Sequence, residues 1–274
     1  MTMLADQGHV TIDGVSLEYR MIGPPPGAAP TIVMLHEGLG SVSTWGAFPT
    51  ALAARTGMGV FVYSRSGYGR SSPVPLPRPL DYMQRDAIAV VPQLLDAIGF
   101  QRGVLLGHSD GASIAAYYAG SVQDHRIRGL VLMAPHFFTE PEGLAEISRA
   151  REDYATSDLR ARLARHHDHV DIAFRGWNDA WLDPGFEKSF QLTGVLAHIR
   201  VPILIVQGKD DRYGTIRQVR AAEELCGGPV EVMLLDRCGH APHREQPAAT
   251  LEAVGAFLDR IFRTTEEAAV ESAS

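Results

Sequence analysis

The chain is predicted to fold as an α/β protein: a mostly parallel, eight-stranded sheet flanked by helices, with a helical insertion in the middle of the chain. Three observations predict it. Short apolar runs alternate with helical patterns, as Thr31–Leu35, Gly59–Tyr63, Arg102–Leu106 and Ile127–Met133 show, and such alternation requires crossover helices on both sheet faces. The alternation stops between His136 and Ile199, where charges, histidines and helical periodicity replace strand signals. It resumes at Val201–Val206 and Val230–Leu235.

Taken in order, His9–Ile12 and Ser16–Met21 are two strands around an Asp13-Gly14 turn, a strong hairpin signal. Gly23–Gly27 is a loop. Thr31–Leu35 and Gly59–Tyr63 are continuous apolar strands of the kind buried on both faces, separated by a helix from Trp45 to Arg55. A loop rich in Gly, Ser and Pro spans Ser64–Arg78. Asp81–Ile98 is a helix whose internal Pro92 predicts a kink. Residues 1–135 and 200–264 form the core, 136–199 a helical cap over the sheet edge, and 265–274 a flexible tail. Pro247–Arg263 is the closing helix.

Composition narrows the function classes. A net charge of −7 argues against nucleic acid or an anionic membrane as the main partner. No apolar run reaches the roughly 18 residues of a membrane span. Met1–Gln7 lacks the basic start and apolar stretch of a secretory leader, and the two cysteines, Cys226 and Cys238, have no metal-type spacing. A cytoplasmic location is expected, with a small-molecule substrate and no nucleic-acid or membrane partner. A homodimer is the one protein partner in view, and the oligomeric state is left open. No phosphate loop or dinucleotide fingerprint is present, so no cofactor is expected. His166, His167 and His169 surround Asp168, but adjacent helical positions point in different directions, so a solvated surface is expected rather than a metal site.

The most specific chemical signal is Gly107-His108-Ser109-Asp110-Gly111, preceded by the strand at 102–106 and followed by the helical run from Ala112. Strand, sharp turn and helix form the context in which such a pentapeptide presents a nucleophilic serine, with glycines where side chains would collide. A serine hydroxyl needs a base, and the base needs an orienting group. Asp210 and Asp211 follow the strand ending at Val206, and His240, preceded by Gly239, follows the last strand. Each lies just beyond a strand's carboxyl end, where ligands bind in open α/β sheets. The chain order serine, acid, histidine matches that of one serine-triad fold.

Further segments carry a family resemblance over about Val10–Phe262. His36-Glu37-Gly38-Leu39-Gly40 with Trp45 resembles the oxyanion loop of the α/β-hydrolase superfamily, and Ser66–Ser71 its Gly-x-Gly-x-Ser loop. Gly208–Asp211 resembles its acid-bearing segment, and Gly239-His240 with Glu245 and Pro247 its terminal histidine motif. The resemblance implies Ser109 as nucleophile, His240 as base, Asp211 rather than Asp210 as orienter, and the backbone amides of Gly38 and Asp110 as oxyanion hole. It implies hydrolysis of a small or medium carboxylic ester through an acyl-enzyme. Similar capped proteins include carbon–carbon hydrolases of ring-cleavage products, lactonases and thioesterases, and some members of the fold only bind ligands. Haloalkane dehalogenases and epoxide hydrolases use an aspartate where this chain has Ser109.

Glu37 departs from the family's usual His-Gly. It is expected to point away and pair with Arg65 or a backbone group, the sharper alternative being that it shapes the pocket. His108 and His243 are expected to serve packing, and the Asp110 side chain to reach cap residues. Phe137, Trp177 and Trp181 are candidates for an apolar substrate pocket.

Overall fold

In the computed structural model, which describes the backbone of residues 4–273 and side chains through residue 262, the chain begins with the hairpin β1 (Gln7–Ile12) and β2 (Val15–Ile22). Next come β3 (Thr31–Leu35), α1 (Phe48–Thr56) and β4 (Gly59–Tyr63). A helical run follows, made of α2 (Tyr82–Arg85), a π turn at Asp86–Val90 and α3 (Val91–Ala97). The single helix expected there is thus interrupted. Pro92 has no N–H to continue the ladder, and the turn before it widens accordingly.

Then come β5 (Gly103–His108), α4 (Asp110–Ser121) and β6 (Ile127–Met133). The segment between β6 and β7 contains α5 (Pro141–Thr156), α6 (Leu159–Leu163), α7 (Val170–Trp181), α8 (Phe186–Ser189) and α9 (Thr193–Leu196), and no strand. The core closes with β7 (Ile203–Gly208), α10 (Ile216–Leu225), β8 (Val230–Leu235), α11 (Pro242–Glu245) and α12 (Pro247–Ala273). Helix α12 takes in residues 265–273 of the segment expected to be a flexible tail, and Ser274 lies outside the described residues.

The eight strands form one sheet in the order β1-β2-β4-β3-β5-β6-β7-β8. The β1–β2 and β2–β4 pairings are antiparallel and the other five parallel. The central strands are buried on both faces, and their alternation divides the core in two. Val33, Leu105, Leu130 and Leu132 face one layer with Leu94, Ala112 and Val219. Ile32, Met34, Val104, Leu106 and Val131 face the other with Leu52, Val254 and Phe257. Helices α3, α4 and α10 therefore cover one face, and α1 and α12 the opposite face. The carboxyl ends of β3, β5, β6, β7 and β8 come out along a single rim, where the site is built.

Candidate active site

Ser109 sits between β5 and α4 with φ 52° and ψ −119°, a left-handed conformation costly for a residue with a Cβ. The turn is held by its surroundings. The Ser109 amide donates to the Met133 carbonyl at 2.9 Å, and its own carbonyl accepts from Ala112 and Ser113. The flanking glycines are required by space. A Cβ on Gly107 would lie 2.3 Å from the Gly111 carbonyl oxygen, and one on Gly111 would lie 2.0 Å from that of Leu35.

The loop after β7 brings in Asp211, and the loop after β8 brings in His240. Nδ1 of His240 lies 2.9 Å from Oδ2 and 3.0 Å from Oδ1 of Asp211. Asp211 Oδ1 also accepts from the Tyr213 amide, and Oδ2 from the Gln207 side chain at 2.8 Å. Burial opposes ionisation of Asp211, but His240, His136 and these donors outweigh it and bring its pKa down to about 2. Asp210 makes no such contact: its amide bonds the Cys238 carbonyl. The second aspartate of the pair therefore meets the histidine.

Ser109, Asp110, Gly38, Glu37 and His240 line one cavity of about 140 Å³. Trp177 and Trp181 from α7 and Ile147 from α5 close it, together with Leu39, His136 and Tyr213. Its wall is mainly apolar. Among the described residues no hydrogen bond joins Ser109 to His240; the two share the cavity wall.

Phe137 departs from expectation. It is fully buried, does not line the cavity, and its backbone is held by Gln218 and Leu192. The preceding residue, His136, faces the cavity instead. Ile147 and Tyr213 were not anticipated because each reaches the cavity only through packing of distant elements.

Beneath the site lies a buried charged cluster. The Asp110 carboxylate accepts from the Tyr82 hydroxyl, which in turn accepts from the Trp181 indole at 3.1 Å. The Asp110 side chain, expected to reach cap residues, thus bonds a residue of α2 and is linked to α7 only through Tyr82. Arg65, 2% exposed, lies 3.9 Å from Asp110 Oδ2 and 3.7 Å from Asp86 Oδ2. Burial raises the pKa of both carboxyls, and Arg65 opposes the rise.

Arg65 also donates to the backbone carbonyls of His36 and Glu37, at 2.6 and 3.2 Å, fixing the loop that carries Gly38. The expected Arg65 contact to Glu37 is thus to its backbone. The carboxylate itself turns toward Arg244, at 3.4 Å, and His108, at 3.6 Å.

His166 and His167 correct the expectation of a solvated face. His166 Nδ1 bonds the Ser43 hydroxyl. His167 is 4% exposed, accepts from the Gly69 amide and donates to the Leu39 carbonyl. Burial lowers its pKa, consistent with the neutral ring these bonds require. His243 packs between Trp45, Phe48 and His108, as expected. Among the described residues no cluster of His, Cys, Asp or Glu could hold a metal ion, and no helix is long and apolar enough to cross a membrane.

Residues 32–253 match the model of the alpha/beta hydrolase family. The chain is 28% identical over 236 residues to a bifunctional esterase/perhydrolase from Acinetobacter calcoaceticus, covering 75% of this chain and 82% of that one. It is 27% identical over 291 residues to a proline iminopeptidase from Lactobacillus helveticus, covering 93% and 98%. Among solved structures, an enol-lactonase from Burkholderia xenovorans superposes with TM-score 0.70 at 22% identity, over 92% of this chain and all of the other.

Proposed function

Since the chain belongs to the alpha/beta hydrolase family and is a hydrolase, we propose that it cleaves a small or medium carboxylic ester through an acyl-enzyme, with Ser109 as nucleophile. The observation that carries this reading is the shared cavity: a serine on a strained turn and an imidazole fixed by a buried carboxylate open into one apolar-walled space.

Asp211 holds His240 with Nδ1 protonated, leaving Nε2 as the basic nitrogen. Nε2 takes the Ser109 proton as Oγ attacks the ester carbonyl. Catalytic hydrogen bonds of this kind tighten when substrate is bound, so the open Ser109–His240 pair is compatible with the step. The amides of Gly38 and Asp110 receive the developing oxyanion, each such donor contributing roughly 3 kcal/mol to the transition state. His240 then returns its proton to the leaving alcohol. In the second half His240 activates a water that releases the acid and restores Ser109.

Cavity size supports a short acyl group. A space of about 140 Å³ is close to one that accommodates a benzene ring, roughly 150 Å³. Trp177, Trp181, Leu39 and Ile147 supply the apolar contacts. The helical segment between β6 and β7 acts in this reading as a cap that sets chain length.

The test is hydrolysis of p-nitrophenyl acetate, butyrate and octanoate, with Ser109→Ala as control and fluorophosphonate labelling of the wild type. Turnover of the short esters, lost in Ser109→Ala, together with a covalent adduct on Ser109 is the expected result. A ring-cleavage diketone or a thioester turned over much faster than every oxygen ester would overturn the substrate assignment. Absence of both turnover and labelling would overturn the enzyme mechanism.

A further inference from the structure

Directly behind His240 lies a second carboxylate–imidazole contact that the proposed chemistry does not use. His108 Nε2 is 2.6 Å from the backbone carbonyl of His240. A carbonyl only accepts, so Nε2 carries a proton. The other ring nitrogen, Nδ1, lies 3.6 Å from Glu37 Oε2, and neither atom has a hydrogen-bond partner although both are buried. Two bare acceptors would repel each other there, so a proton must lie between them.

The groups around the pair decide where that proton sits. Arg244 approaches Glu37 Oε1 at 3.4 Å. His243 meets His108 edge-on, with ring centroids 5.0 Å apart. The His240 ring is 5.2 Å away on the other side. Arg244, cationic throughout the neutral range, favours the ionised form of Glu37 and so leaves the shared proton to the His108 side of the contact. The pocket for the carboxylate is also sterically specified: a Cβ on Gly40 would fall 2.4 Å from Glu37 Oε2.

We propose that Glu37 and His108 form a buried ion pair that positions the catalytic base: the carboxylate keeps the His108 ring doubly protonated, and the imidazolium clamps the backbone carbonyl of His240 by a charge-assisted hydrogen bond. Glu37 thereby takes a positioning role at the place where the chain departs from the family's oxyanion-loop glycine. Charge assistance roughly doubles the strength of such a bond and shortens it, in keeping with the 2.6 Å separation. Asp211 orients the ring of His240 while the Glu37–His108 pair holds its main chain.

The inference rests on His240 acting as the base of Ser109, and its test separates the two. Histidine side-chain nitrogen NMR of the wild-type protein at neutral pH, with His108 assigned through His108→Asn, reads the protonation state without reference to activity. Two protonated ring nitrogens are expected; a neutral His108 ring overturns the proposal. In Glu37→Gln the amide can still donate to Nδ1, so the tether persists but its charge is lost. His108 should become neutral, and kcat for a short ester should fall about fivefold with KM within twofold, matching a difference of about 1 kcal/mol in the clamp. An unchanged kcat, or a change confined to KM, overturns the positioning role. If Ser109→Ala retains turnover in the same assays, the ester mechanism falls instead, while the NMR result still decides whether the ion pair exists.

Discussion

The Trp177 indole packs against the bare Cα of Gly38, so closely that a Cβ at position 38 would lie 2.2 Å from Nε1 and 2.4 Å from Cδ1 of the ring. A cavity-wall residue from α7 and a proposed oxyanion donor from the loop after β3 are thus fitted to each other. Gly38→Ala should push the indole away and misalign the amide, lowering kcat/KM for p-nitrophenyl acetate by about 100-fold, the scale of a misplacement near 1 Å. Trp177→Ala should make room for the added methyl, so the double variant should be more active than Gly38→Ala alone. Steady-state kinetics on the four proteins of the cycle give the coupling; strict additivity would contradict the fitted contact.

Asp211→Asn should abolish most turnover while leaving the fold intact. An amide can present its NH₂ to Nδ1 and stabilise the wrong tautomer of His240, and the analogous loss in a serine triad is about 10⁴ in kcat. Circular dichroism should be unchanged, because Asp211 contributes to the rim and not to either core layer. Asp210→Asn, at an exposed side chain, should stay within about twofold of wild type.

Acid stability should decline in two stages. His136 and His243 are buried and held neutral, with pKa values lowered to about 3 by burial and by neighbouring histidines. The unfolded chain binds protons on these rings from about pH 6.5 downward while the folded chain refuses them, so stability is lost as pH falls. At mid-window the two rings give a slope of about 2.7 kcal/mol per pH unit. Asp211, whose folded pKa is lowered to about 2, adds stability that is complete above its unfolded value near 3.9. That part, about 2.6 kcal/mol, is lost progressively as pH falls from about 5 toward 1. Urea midpoints measured from pH 7 to pH 4 should fall in wild type and fall less steeply in His243→Phe. A flat profile over that range would contradict the buried neutral rings.

Arg65→Met should be among the most destabilising single changes. It leaves Asp86 and Asp110 buried without their cation and removes donors to the His36 and Glu37 carbonyls. A loss of about 3–5 kcal/mol is expected. Adding Asp86→Asn should recover part of it, which thermal melts of the two variants can check.

Gly111→Ala tests the turn itself. Its Cβ would meet the Leu35 carbonyl oxygen at 2.0 Å, a backbone atom of a central strand that cannot swing aside. Destabilisation of about 2–3 kcal/mol is expected, with fluorophosphonate labelling of Ser109 slowed as well.

The strands and the serine turn were legible in sequence because their signals are local. Continuous apolar runs mark β3–β7, and Gly107 and Gly111 mark a turn whose crowding is intrinsic to it. That Asp210 or Asp211 would meet His240 followed from each residue's place just after a strand, while the choice of Asp211 came from the family resemblance. What stayed hidden depends on approach between distant segments. His136 and Phe137 are adjacent, and only the path of the loop after β6 decides that the first faces the cavity and the second the core. The burial of His167 depends on Leu39 and Gly69, and the orientation of the Glu37 carboxylate depends on His108 and Arg244. No periodicity encodes such contacts.

The two ring nitrogens of His167 grip separate core loops, one through the Gly69 amide and the other through the Leu39 carbonyl. That corner of the helical segment is tied to the core beside Leu39, a residue of the cavity wall. The tie depends on one neutral imidazole: a ring that gained a second proton could no longer accept from the Gly69 amide, and the link to that loop would be lost while the one to Leu39 remained.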